Sequence, residues 1–173
     1  MDGFNLRNLA LAVALTTSMG AAFAATSNDF VDHAAAGGIA EIEASRLALE
    51  KSQSADVKAF AKMMITDHGK ANDELATIAK KNDIEVPDTT TLVKQAKEKI
   101  LDMRDESFDA AYANNQVKAH EEAIELFKKE ANTVTDDKTK GAVELKAFAQ
   151  KMLPGLEKHL DMAKKLQAAH PGK

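Results

Sequence analysis

Four side chains carry the chemistry open to this sequence: Glu41, His68, His120 and His159, each placed among apolar residues at helical spacing. Neutral imidazoles with one carboxylate make a ligand set for a transition metal, Zn or Cu, and facing helices of a bundle are a common place to hold one. A buried carboxylate without a partner costs several kcal/mol unless it is protonated or paired, so Glu41 needs a reason to be inside. Taken singly, each histidine reads as a hydrogen-bonded core residue, and Glu41 could pair with His68 or His120 without any ion. Taken together, the four predict one central metal site. Gln116 and Tyr112 lie one and two turns before His120 and could orient its ring, as could Asp109 and Asp67. Met64, Met152 and Met162 read as packing residues, although Met64, one turn from His68, would suit copper. His33 and His170, near the chain ends, are expected in solvent.

The same pattern argues against a di-iron centre. Such bundles use Glu-x-x-His on two helices and a Glu on each of the other two. Here the residues three before His68 and His159 are Ile65 and Leu156, and one central carboxylate is too few for two irons. No Ser-His-Asp set or Gly-rich phosphate loop is apparent. A net charge of −4 without a Lys/Arg block lacks the footprint of a nucleic-acid binder. The absence of cysteine removes disulfides and a lipoprotein anchor alike.

These residues need four helices to position them. Three prolines and eight glycines in 173 residues, with Ala, Lys, Glu and Leu abundant, leave little room for a sheet. The apolar period predicts helices over 27–52, 54–81, 106–131 and 142–168, and a short one over 91–103. Ser27 or Asn28 caps the first and Ser54 the second. Asn82-Asp83 suit a left-handed helix end, Pro87 keeps 84–87 extended, and Pro154 should kink the last helix. A short link, a long crossover and a second short link describe a ferritin-like four-helix bundle, all-α, occupying residues 25–173.

A faint duplication sets the register. Val57-Lys58-Ala59-Phe60-Ala61 recurs as Leu145-Lys146-Ala147-Phe148-Ala149, and Leu47-Ala48-Leu49-Glu50-Lys51 can be laid on 126–130. Glu41 then falls on His120, and His68 falls on Leu156, one turn from His159. Without the repeat, His120 and His159 stand about eleven residues out of register, ~16 Å at helical rise. A shared site therefore requires the polar link 132–141 to be extra length.

The opening has a leader's shape. Arg7, the apolar run Leu9 to Leu15 and Ala22-Phe23-Ala24 predict a signal peptide over 1–24, cut after Ala24, with a soluble periplasmic product. Its apolar middle is well under the ~20 residues a transmembrane helix needs, and no second long apolar run follows.

Several ordered stretches carry a family resemblance: Gly37-Gly38-Ile39-Ala40-Glu41-Ile42-Glu43, Asp67-His68, Phe108-Asp109-Ala110-Ala111-Tyr112, Gln116-Val117-Lys118-Ala119-His120 and Leu153-Pro154-Gly155-Leu156-Glu157-Lys158-His159-Leu160. The chain resembles, from about Asn28 to Leu166, a bacterial family of exported proteins with a ferritin-like domain of unknown function, whose members are often labelled predicted outer-membrane proteins. The resemblance implies a ferritin-like fold and an exported location, and no activity, substrate or metal. The expected function is binding, buffering or stress-related handling of one transition-metal ion rather than turnover. The rival is a structural or partner-binding protein whose His/Glu layer holds no metal. An enzyme using the histidines and Glu41 for acid–base work would need an open cleft at the central layer.

Overall fold

The structure, a computed structural model, describes residues 26–100, 107–135 and 139–172, with side chains for all of these but 98–100. The expected leader over 1–24 and the end of the expected crossover helix at Met103 lie outside them. Among the described residues five helices form: α1 (Asp29–Lys51), α2 (Ala55–Lys81), α3 (Thr89–Ile100), α4 (Phe108–Ala131) and α5 (Ala142–Ala169). Among the described residues there is no strand, only an isolated bridge between Thr26 and Ile84 that ties the chain before α1 to the extended stretch after α2.

Local chemistry explains most of the boundaries. Asn28 caps α1 by accepting from the Val31 amide at 3.1 Å, an interaction worth about 1 kcal/mol. Ser54 precedes α2 as expected but makes no side-chain cap; its hydroxyl donates instead to Asp109 Oδ2 at 2.7 Å. Asp83 takes the left-handed conformation, φ 52°, just beyond α2. The last helix runs on through Pro154 to Ala169.

Two seams fix the packing. Along α1 and α4, Phe30 meets Phe127 with ring centroids 5.1 Å apart, and Ser45 and Tyr112 share a buried 2.8 Å hydrogen bond. Residue numbers rise on one helix as they fall on the other, so the pair is antiparallel. Along α2 and α5, Asp56 contacts His170 at 3.0 Å, Asp67 contacts His159 at 3.2 Å, Glu74 contacts Lys151 at 2.7 Å and Lys81 contacts Glu144 at 2.9 Å. This pair is antiparallel too. The exposed Lys–Glu pairs among these stabilise by only about 0–1 kcal/mol each, so their main effect is on register. His170, expected in solvent, is instead half-buried in this seam.

The helices close a ring, α1 on α2, α2 on α5, α5 on α4 and α4 on α1. With α1 taken as up, the senses are up, down, down, up. Hence α2 and α4 run the same way, and the connection between them must travel the length of the bundle. That connection carries α3, which packs on α1. Leu92 and Ala96 on it are buried, and Lys97 lies 3.9 Å from Glu43, a buried α1 acid that is also paired with Arg46.

The core comes in two apolar clusters. One gathers Phe30, Leu75, Phe127, Leu145 and Phe148; the other gathers Ala48, Val57, Phe60, Met64 and Leu166 around Tyr112. The candidate ligands lie between them. His68 falls between Met64 and Leu75, His120 between Val117 and Ile124, and His159 between Leu156 and Ala163.

Candidate metal centre

Three helices deliver one histidine each to this layer: His68 from α2, His120 from α4 and His159 from α5. They are 8 %, 1 % and 7 % exposed. Ring centroids are 5.5 Å apart for His68 and His120, 5.6 Å for His68 and His159, and 5.5 Å for His120 and His159. One ring nitrogen from each lies within 4.8 Å of those from the other two.

The register that unites His120 and His159 comes from the start of α5. Gln150 Nε2 donates to the Ala131 carbonyl at 3.3 Å, so Gln150 stands level with the end of α4. The first two turns of α5 therefore project past α4, and the link folds back beside them, where Lys146 Nζ donates to the Thr133 carbonyl at 3.0 Å. His159 is nine residues on from Gln150 and His120 eleven back from Ala131, which places them at nearly one depth. The polar link is extra length, as the internal repeat requires.

The hydrogen bonds assign protons to two of the rings. His120 Nδ1 sits 2.8 Å from the Gln116 carbonyl, which can only accept, so Nδ1 carries the hydrogen and Nε2 is left with its lone pair. His159 Nε2 sits 3.2 Å from Asp67 Oδ2, so Nδ1 carries the lone pair. His120 Nε2, His159 Nδ1 and His68 Nε2 are all buried without a partner. An outer nitrogen anchored on a carbonyl or carboxylate, with the inner one open, is the arrangement of metal-bound histidines.

Electrostatics keeps the rings neutral. Burial, then the His120 and His159 rings, pushes the His68 pKa down to about 3. Burial lowers His120 to about 4, against the raising effect of the Gln116 carbonyl. His159 is lowered by burial, partly offset by Asp67.

The fourth expected ligand, Glu41 on α1, is 6 % exposed and lines the same cavity, a space of about 670 Å³. No carboxylate oxygen among the described residues joins the three histidine nitrogens in their close group. Burial pushes the Glu41 carboxyl up to about 8, with Gln116 pulling the other way. Gln116 is a close neighbour rather than a full partner: Glu41 Oε2 and both side-chain amide atoms of Gln116 lack hydrogen bonds of good geometry.

The other candidates separate. Gln116 supports His120 through its backbone, and Asp67 supports His159. Tyr112 turns to Ser45 and Asp109 to Ser54, so neither holds a histidine. Met64 packs in an apolar cluster, Met162 lies against the same one, and Met152 lines the cavity. His33 is exposed yet stands at the cavity rim. Sequence reasoning missed the cavity itself. Its signal was the run of small residues Gly37, Gly38, Ala40 and Ala44 around Glu41, faced by Ala119 and Ala123 on α4.

No helix among the described residues is long and apolar enough to cross a membrane. A family model described as "Domain of unknown function (DUF4142)" matches residues 12–166, and the chain belongs to that family. No curated protein and no solved structure matches it.

Proposed function

We propose that this member of the domain-of-unknown-function family is an exported, ferritin-like four-helix bundle that binds one transition-metal ion, Zn or Cu, through His68, His120 and His159. The observation that carries the reading is the set of three buried, unpartnered ring nitrogens, two of them on rings whose opposite nitrogen is already anchored. Leaving a buried polar atom unsatisfied costs about 1–3 kcal/mol, and three in one place repay that cost only when something binds there. Glu41 stays in the site as the acid lining the remaining side of the cavity. The up–down–down–up order with a long crossover supports the ferritin-like assignment, and the leader read over 1–24 supports export. The role is binding or buffering of the ion. Three histidines without a second carboxylate suit a single Zn or Cu better than an iron pair.

Elemental analysis of the chain purified without chelator is the direct test. One equivalent of Zn or Cu is expected, and His120→Ala should lose it. Metal-free protein that takes up neither ion on titration would refute the reading and favour a His/Glu layer that only fixes helix register.

A further inference from the structure

A metal held by four protein ligands is closed, whereas one held by three keeps a position for exchange. The histidine triad supplies three, and the space beside it is open. The cavity of about 670 Å³ is the size of a small-molecule site. It reaches solvent at His33, Gly37, Gln95, Glu122 and Lys151, all exposed, and ends on the triad. One wall is apolar, with Leu92 from α3, Leu126 and Phe127 from α4, and Phe148 and Leu156 from α5, while Asn72 and Asn115 add polar lining elsewhere.

We propose that this cleft binds a small organic carboxylate, its head on the ion's fourth position and its apolar body against the wall formed by α3, α4 and α5. The inference rests on the metal reading above. A divalent ion on three neutral imidazoles brings two positive charges into a buried layer, and Glu41 can offset one of them. A monoanionic head neutralises the rest. Glu41 Oε2, buried and without a hydrogen-bond partner, stands in the same cavity as a polar contact for that head or for a water beside it. An inorganic anion would satisfy the ion but leave the apolar wall uncovered. A flat or branched body of a few carbons covers it.

Co(II) is the probe, because its visible absorption reports both loading and a change of ligand. The full chain is loaded with Co(II) and titrated separately with acetate and benzoate. Both should alter the spectrum, with benzoate at least about tenfold tighter because only it buries apolar surface. Leu126→Ala, which strips apolar wall nearly two turns from His120, should keep the Co(II) spectrum and weaken the preference for benzoate. A Co(II) spectrum that ignores benzoate, or equal affinities for the two acids in the unmodified chain, overturns the carboxylate site and leaves the metal site standing. If no Co(II) spectrum develops at all, the metal reading fails and this proposal fails with it.

Discussion

Replacing His68 by leucine separates the two roles a buried histidine layer can have. In the metal-free chain His68 Nε2 is buried without a partner, and its ring is kept neutral by burial and by two neighbouring rings. Leucine of similar bulk removes that unsatisfied atom, a relief of about 1–3 kcal/mol, and gives up ring contacts to His120 and His159 worth about 0.5–1.5 kcal/mol each. The net change without metal should be small and either neutral or favourable, moving the melting temperature by no more than about 4 °C. With metal the two chains should part. An ion at a hundred times its Kd stabilises the native state by about 2.7 kcal/mol, which raises the melting temperature by roughly 5–10 °C for a domain of this size. The His68→Leu chain keeps only two of the three nitrogens and should lose most of that shift. Thermal melts of both chains, with Zn and with Cu and again after chelation, give all the values needed. An equal metal-dependent shift in the two chains would refute the assignment of His68 as a ligand. A variant that melts far below the parent without metal would refute the claim that its nitrogen is unsatisfied.

Asp67→Ala should keep one equivalent of metal but weaken it by about 10–100-fold, because His159 loses the carboxylate that orients it; a competition titration against a chelator measures this. Tyr112→Phe should cost about 1–2 kcal/mol in denaturant unfolding by orphaning the Ser45 hydroxyl, and should leave metal affinity unchanged. The pH dependence of the metal-free chain follows from opposing groups. His68 and His120 are lowered from 6.5 to about 3 and about 4, so the unfolded chain binds their protons first and stability falls as pH drops below 6.5. Glu41 is raised from 4.5 to about 8, so stability falls as pH climbs from 6.5 toward 8. His159, also lowered, adds to the acid-side loss, so stability in denaturant unfolding should peak near or just above pH 6.5 and fall more steeply on the acid side, and Glu41→Gln should flatten the alkaline side. Glu43→Gln weakens the tie between α1 and α3, and hydrogen exchange over 89–97 should quicken while α2 and α5 are unaffected.

Much of this was legible in residue spacing, for identifiable reasons. Each of the four long helices has an apolar stripe long enough to fix its phase, and the candidate ligands sit within those stripes. The depth of His159 was legible only through the weak repeat, since a count along the chain places it about 16 Å from His120. Gln150 shows why that count misleads: residue 150, and not the start of α5 at Ala142, stands level with the end of α4. Side-chain partners were less legible. Tyr112 and Gln116 share a face with His120, but only the Gln116 backbone reaches its ring, while the Tyr112 hydroxyl finds Ser45 across the helix pair. Same-face spacing gives neighbours along one helix and says little about what faces them from another. The cavity was illegible for a related reason, because an alanine or glycine looks the same in sequence whether it lets helices close together or leaves a space.

The strongest argument that the histidine layer holds something comes from its contrast with other buried polar groups in the same bundle. Ser45 and Tyr112 lie one turn from Glu41 and two turns from His120, and there the fold brings two hydroxyls to 2.8 Å and leaves neither wanting. Glu43, equally buried, has Arg46 and Lys97. A layer that existed only to fix register could be satisfied in the same way, with one ring donating to the next. The triad is arranged otherwise. Two of its rings spend their hydrogens on the Gln116 carbonyl and on Asp67, and their other nitrogens, like one of His68, are buried without a partner. Lone pairs repel one another and are bridged only by a donor or a cation between them, and a proton added to the rings is disfavoured by burial that drives the ring pKa values to about 3 and about 4. The metal ion proposed above would satisfy all three at once, whereas a water has only two hydrogens to donate.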